Sequence, residues 1–159
     1  MGAALAYVFQ NKASERAEAS ALQRELRAER AGVYSSYVTA LTGFRRGQID
    51  WYDLRKKDPD SAATLAARVE SYRLKGAAEA VLSQVRLVAS DPGVATAAIS
   101  AFELTRPVHY AQESADLSSR IEEAENAADA FVALAAAEIQ SIPVTGRRHR
   151  LGMSTELEF

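Results

Sequence analysis

Two imidazoles, His109 and His149, stand among 21 Asp and Glu residues, and there is no cysteine. Without a thiol, disulfides, thiolate zinc sites, iron–sulfur clusters and cysteine nucleophiles are excluded together. A di-iron carboxylate bundle needs Glu-x-x-His pairs on facing helices. Here Arg106 lies three residues before His109, and Gly146 three before His149. Glu122, Glu123 and Glu125 therefore have no histidine partner and read as a solvated helix face. The His-Glu-x-x-His, Walker, dinucleotide-binding and Gly-x-Ser-x-Gly patterns are also absent. This inventory predicts no catalytic residue, no metal site, no cofactor and no small-molecule substrate, and so a protein that is not an enzyme.

Contact chemistry is what remains. Trp51 and Tyr52 are flanked by Arg45, Arg46, Arg55 and Lys56, an arrangement open to base stacking beside phosphate-binding cations. Asp50, Asp53 and Asp58 interleave those charges, which favours aromatic side chains that pin a linker or meet a protein partner. Arg147, Arg148 and Arg150 form a short basic cluster able to touch nucleic acid or anionic lipid, though more simply a solvated tail. At the other end Leu5, Val8 and Phe9 belong to an apolar run, Gly2 to Phe9. The run is far short of the roughly 20 residues that cross a bilayer. It lacks the basic start and cleavage region of a signal peptide, and Ala6 stands where a myristoylation motif wants Ser or Thr. It reads as the last turns of a longer apolar helix, followed by Lys12, Arg16, Arg24, Arg27 and Arg30 as on a cytoplasmic membrane flank. The competing reading is an N-terminal turn packed on the protein itself or on a second copy.

The elements that must position these residues are helical throughout. Leu22, Leu26, Val33, Tyr37, Leu41 and Phe44 recur at helical steps along a proline-free segment from about residue 3 to 46. Glu29 interrupts the stripe, which weakens a sustained coiled-coil pattern. Gly43 and Gly47 suggest fraying into a linker over residues 47–57. Asp58-Pro59 reads as an N-cap and first helical residue, opening a second helix whose face is Leu65, Val69, Tyr72, Val81, Val85 and Val88. Gly76 and Ala77 offer small residues in that face for close helix approach. Asp91-Pro92 opens a third helix bearing Val94, Ala97, Ala98, Ala101 and Phe102, and Pro107 ends it. After a loop, a fourth carries Leu117, Ile121, Ala124, Ala128, Phe131, Ala135 and Ile139, and Pro143 stops it.

Four one-sided helices with short connections predict an all-α, antiparallel four-helix bundle with a long N-terminal helix. The expected organisation is an apolar segment over 1–10, a bundle over 11–142 and a disordered tail over 143–159. The 159 residues carry 19 Lys and Arg against 21 Asp and Glu, a balance that disfavours bulk capture of DNA or RNA.

The order of these elements carries a resemblance. Gly2-Ala-Ala-Leu-Ala-Tyr-Val-Phe-Gln10 leads into a charged Ala/Glu/Arg helix with Tyr34 and Tyr37. Val85-Arg-Leu-Val-Ala-Ser-Asp-Pro-Gly-Val94 and Ala130-Phe-Val-Ala-Leu-Ala-Ala-Ala-Glu-Ile139 follow. Over residues 2 to 140 this resembles the KilB-like proteins of actinomycetes, associated with conjugative plasmid transfer and spread. The resemblance implies a short membrane helix followed by a cytoplasmic helical domain at the inner face of the cell membrane, working through protein partners or self-association. It brings no catalytic residue with it. The alternative expectation is a soluble helical protein associated with nucleic acid or with regulation.

Overall fold

The structure, a computed structural model, describes the backbone of residues 3–141 and the side chains of residues 17–141. It contains α1 (Ala3–Lys57), α2 (Ala62–Val88), α3 (Pro92–Thr105), a 3₁₀ turn (Val108–Tyr110) and α4 (Ser114–Ser141). No strand occurs among the described residues. The expected all-α four-helix architecture is what the chain adopts.

Local chemistry sets the joints. α1 ends on Arg55, Lys56 and Lys57, cations at the negative end of the helix dipole. Pro59 then disfavours helical geometry at Asp58. The Asp58 carbonyl accepts from the Ser61 hydroxyl (3.1 Å) and the Thr64 hydroxyl (2.7 Å), folding a four-residue turn. Ser61 is the N-cap of α2, its Oγ accepting from the Thr64 amide at 3.2 Å. The second helix thus starts three residues later than Asp58-Pro59 suggested, because that pair builds the turn. At Asp91-Pro92 the expectation holds: Asp91 Oδ1 accepts from the Gly93 amide at 2.7 Å, with Pro92 at the first helical position.

Helix directions alternate. Gln48 meets Ser71 across α1 and α2. The Tyr37 hydroxyl donates to the Ala98 carbonyl at 2.6 Å, and Phe44 stacks on Phe102, so α3 runs with α1. Tyr34 bonds Glu138 and Arg45 pairs with Glu125, so α4 runs against it. The core sets large rings on α1 against small residues elsewhere. Tyr34, Tyr37, Leu41 and Phe44 face Ala78, Ala98, Ala101 and Ala135, with Phe131 edge-on to both tyrosines.

Three expectations are corrected. Residues 47–57 are no linker: α1 continues through them to Lys57. Gly47 is buried, and a Cβ there would lie 2.7 Å from Leu74 Cδ1 and in ordinary contact with Ser71 Cα at 3.6 Å, so the glycine gives the Leu74 side chain its seat against α1 rather than fraying the helix. On α2 the face toward α1 recurs every seventh residue, Thr64, Ser71, Ala78 and Val85, while Leu65, Val69 and Tyr72 are 53%, 69% and 55% exposed. Gly76 and Ala77 are exposed, and nothing lies within 4 Å of a Cβ built at Gly76, so the close approach expected there occurs at Gly47 instead.

The 55 residues of α1 extend about 80 Å at 1.5 Å per residue. Its packing against the other helices is established from Arg30, which reaches Glu138 at 3.6 Å, to Arg55. The part ahead of Arg30 carries Leu22 and Leu26 exposed. The expected tail over 143–159 lies outside the described residues.

Candidate functional site

Because α1 stays helical past Gly47, it carries Gln48, Trp51 and Arg55 to the lower end of the bundle, beside the 3₁₀ turn. Gln48, Ser71 and His109 are all buried polar residues, and they satisfy one another. Gln48 Nε2 donates to Ser71 Oγ at 2.9 Å. Its Oε1 accepts from the His109 amide at 3.3 Å and contacts His109 Nδ1. An amide oxygen can only accept, so Nδ1 carries the imidazole proton and Nε2 is left as the acceptor nitrogen. Arg55 Nη2 donates to the carbonyls of His109 (2.6 Å) and Ala111 (3.3 Å), fastening the turn to α1. Burial first, and then the Arg55 charge, push the His109 pKa down to about 4, so the ring is neutral near pH 7.

An aromatic cleft opens above this network. Trp51 stacks on His109 with centroids 4.0 Å apart and planes 13° from parallel, and Tyr110 closes on the same imidazole at 3.8 Å. Tyr72 of α2 stands 5.9 Å from Trp51, with Arg68 over its outer face. The cavity of about 300 Å³ is floored by Phe44 and Gln48 and walled by Trp51, Tyr72, Pro107 and Tyr110. Lys75, Glu103 and Arg106 complete its lining. Such a cleft can hold a ring by stacking and orient it by charge. Its one imidazole, His109, is neutral near pH 7 and already hydrogen-bonded.

A second polar cluster sits at the upper end, where α1 leaves the bundle. Glu138 is 7% exposed, yet it accepts from the Tyr34 hydroxyl (2.5 Å) and the amides of Ser90 (2.6 Å) and Asp91 (3.1 Å). Burial acts to raise its pKa, but these donors together with Arg30 outweigh burial and hold it below the ordinary carboxylate value. The carboxylate ties the α2–α3 turn to α1. Among the described residues no group of three or more His, Asp or Glu side chains is placed to hold a metal ion.

The residues singled out from sequence separate. Trp51 lines the cleft, whereas Tyr52 is buried with Lys56 over its ring. The four flanking cations do not form one face. Arg45 pairs with Glu125 at 3.1 Å, Arg55 is spent on the 3₁₀ turn, and Arg46 lines a groove between α1 and α2. Leu5, Val8 and Phe9 fall in the first turns of α1, with side chains outside the described residues. Arg147, Arg148 and Arg150 lie outside the described residues altogether. Sequence reasoning passed over Gln48 and Lys75, named Arg106 and His109 only as failing a Glu-x-x-His pair, and placed Tyr72 on the apolar face of the second helix. No local period links α1 to residues 103–110, and the one hint was that the chain's single tryptophan shares its neighbourhood with no apolar stripe.

No curated protein and no solved structure matches the chain. The family model for the KilB plasmid transfer protein does match, over residues 31–139. That stretch takes in the bundle from the point where α1 joins it to the last turn of α4, more than half of the chain. By this match, the chain belongs to the KilB plasmid transfer protein family.

Proposed function

We propose that this KilB-family chain is a non-enzymatic, membrane-proximal contact protein in plasmid transfer and spread, acting at the inner face of the cell membrane. The observation that carries the reading is the reach of α1. Its apolar start lies on a continuous helix about 40 Å ahead of Arg30, where packing against the bundle is established. Lys12, Arg16, Arg24, Arg27 and Arg30 follow the apolar residues, interleaved with Glu15, Glu18, Glu25 and Glu29, and Lys and Arg are the residues that weigh at a cytoplasmic flank. The helix would act as a stalk that sets the bundle off from a surface its tip touches. Among the described residues no helix is long and apolar enough to cross a membrane. The buried polar groups of the bundle supply the second support. Gln48, Ser71, His109, Tyr34 and Glu138 are engaged with one another or with backbone amides, which holds the helices in place and leaves binding to the surface.

The test is membrane fractionation of the chain followed by an alkaline carbonate wash. The expected result is a wash-resistant membrane fraction that disappears in Leu5→Ser/Val8→Ser/Phe9→Ser, with helical content unchanged. Equal partitioning of the two proteins would remove the anchoring role of this segment.

A further inference from the structure

The aromatic cleft has a chemistry that the stalk does not explain. Its volume of about 300 Å³ is at the lower limit for small-ligand sites, and suits one ring with a short attachment rather than a large cofactor. Tyr72 is 55% exposed and Tyr110 60%, a high exposure for two rings on either side of one cavity. The lining charges are Lys75 and Arg106 against Glu103, an excess of one positive charge, and His109 at its base adds none near neutral pH. Both cations are held only by exposed pairs within their own helical turns, Lys75 with Glu79 at 3.4 Å and Arg106 with Glu103 at 2.6 Å. Surface pairs of this kind contribute about 0–1 kcal/mol and exchange partners at little cost.

We propose that the cleft receives an aromatic side chain flanked by carboxylates, presented by an acidic segment of a partner protein. The ring inserts between Tyr72 and Tyr110 over Trp51, where offset or edge-on contacts are favourable. Lys75 of α2 and Arg106 beyond the end of α3, both in the lining, take the flanking carboxylates. The proposal deepens the contact-protein reading and rests on it, but not on where the protein sits relative to a membrane.

Trp51 is the only tryptophan in the chain, so its fluorescence reports on this cleft alone. The probes are acetyl-Glu-Phe-Glu-amide, acetyl-Lys-Phe-Lys-amide, acetyl-Glu-Ala-Glu-amide and 3-phenylpropionate, titrated into the full chain at low salt. The expected result is a saturable change with the first peptide and at least about tenfold weaker binding of the other three, a difference of about 1.4 kcal/mol. Lys75→Glu/Arg106→Glu replaces a half-buried and an exposed side chain, neither of them in the core, and should reverse the preference toward the lysine peptide. No saturable change with acetyl-Glu-Phe-Glu-amide up to about 10 mM, a binding energy weaker than about 3 kcal/mol, overturns the proposal. Equal binding of the lysine peptide overturns it too. If 3-phenylpropionate binds as tightly as the peptide, the partner segment is overturned in favour of a free aromatic acid. Because these titrations contain no membrane, their failure leaves the carbonate-wash result standing, and failure of the wash leaves the cleft standing.

Discussion

Replacing Glu138 by alanine removes the carboxylate on which three hydrogen-bond donors and one ion-pair partner from α1 and the α2–α3 turn converge. The Tyr34 hydroxyl, the Ser90 and Asp91 amides and Arg30 reach it at 2.5, 2.6, 3.1 and 3.6 Å. Truncation leaves a buried hydroxyl and two backbone amides without that acceptor. Each donor stranded in this way costs about 1–3 kcal/mol. Ser90 and Asp91 are themselves exposed residues, so water recovers part of the amide loss. The expected destabilisation is therefore about 3 kcal/mol, near the lower edge of the 3–5 kcal/mol typical for breaking a buried charged pair. For a chain of this size that is a fall of about 9 °C in Tm. Tyr34→Phe keeps the ring edge-on to Phe131 and deletes one donor, for about 1 kcal/mol. The double variant should lose clearly less than the sum, since both changes break the same bond.

The assay is urea unfolding followed by far-UV circular dichroism, with Trp51 fluorescence as an independent probe of two-state behaviour. A loss below about 1 kcal/mol for Glu138→Ala, the range of ordinary surface changes, would refute the reasoning. Full additivity with Tyr34→Phe would refute it as well. The same contacts leave a signature in pH. The folded-state pKa of Glu138 is depressed, so its contribution is present above the ordinary glutamate value and is lost as pH falls through the lowered one. As pH falls from the ordinary glutamate value through the lowered one, the native protein should therefore lose more stability than Glu138→Gln does.

Two further outcomes follow from burial. In a His149→Gln background His109 is the only histidine, and its imidazole proton signal in NMR should titrate with a midpoint of about 4. The unfolded ring binds its proton first, so stability falls as pH drops from the ordinary histidine value toward that midpoint; a midpoint near 6.5 would place the ring in open water. Gly76→Ala should raise stability by about 0.8 kcal/mol in urea, because the site is an exposed helix interior with free space around a new Cβ. A loss instead would mean that another helix closes on Gly76 after all.

The helical architecture was legible because much of each apolar stripe does lie in the core: Tyr37, Leu41 and Phe44 on α1, Val85 on α2, Val94 and Phe102 on α3, and Phe131 on α4. α2 misled for a physical reason. Periodicity finds the face with the largest apolar residues, and on α2 that is Leu65, Val69 and Tyr72. α1 already fills the space between the helices with Tyr34, Tyr37, Leu41 and Phe44. At an axis separation of 8–10 Å the facing helix must answer with small side chains. Thr64, Ser71 and Ala78 do so, at a spacing of seven that hydropathy alone does not mark. The larger residues are left on the outer face, where Tyr72 becomes a wall of the cleft.

The cleft was hidden by the same kind of inversion, beginning at Gly47. Glycine costs a helix about 1 kcal/mol of propensity, so a local reading ends α1 there and turns Trp51, Tyr52 and Arg55 into a linker. Tertiary contact reverses the sign: without a Cβ at 47, Leu74 can seat against α1, and the helix runs ten residues further to Lys57. That continuation fixes Gln48, Trp51 and Arg55 on one rigid element, where they meet Ser71 and the His109 turn. Neither Gln48 nor His109 is remarkable by residue type or spacing. Their buried polar atoms are satisfied by each other and by Ser71, a condition that exists in three dimensions and has no counterpart in a sequence window.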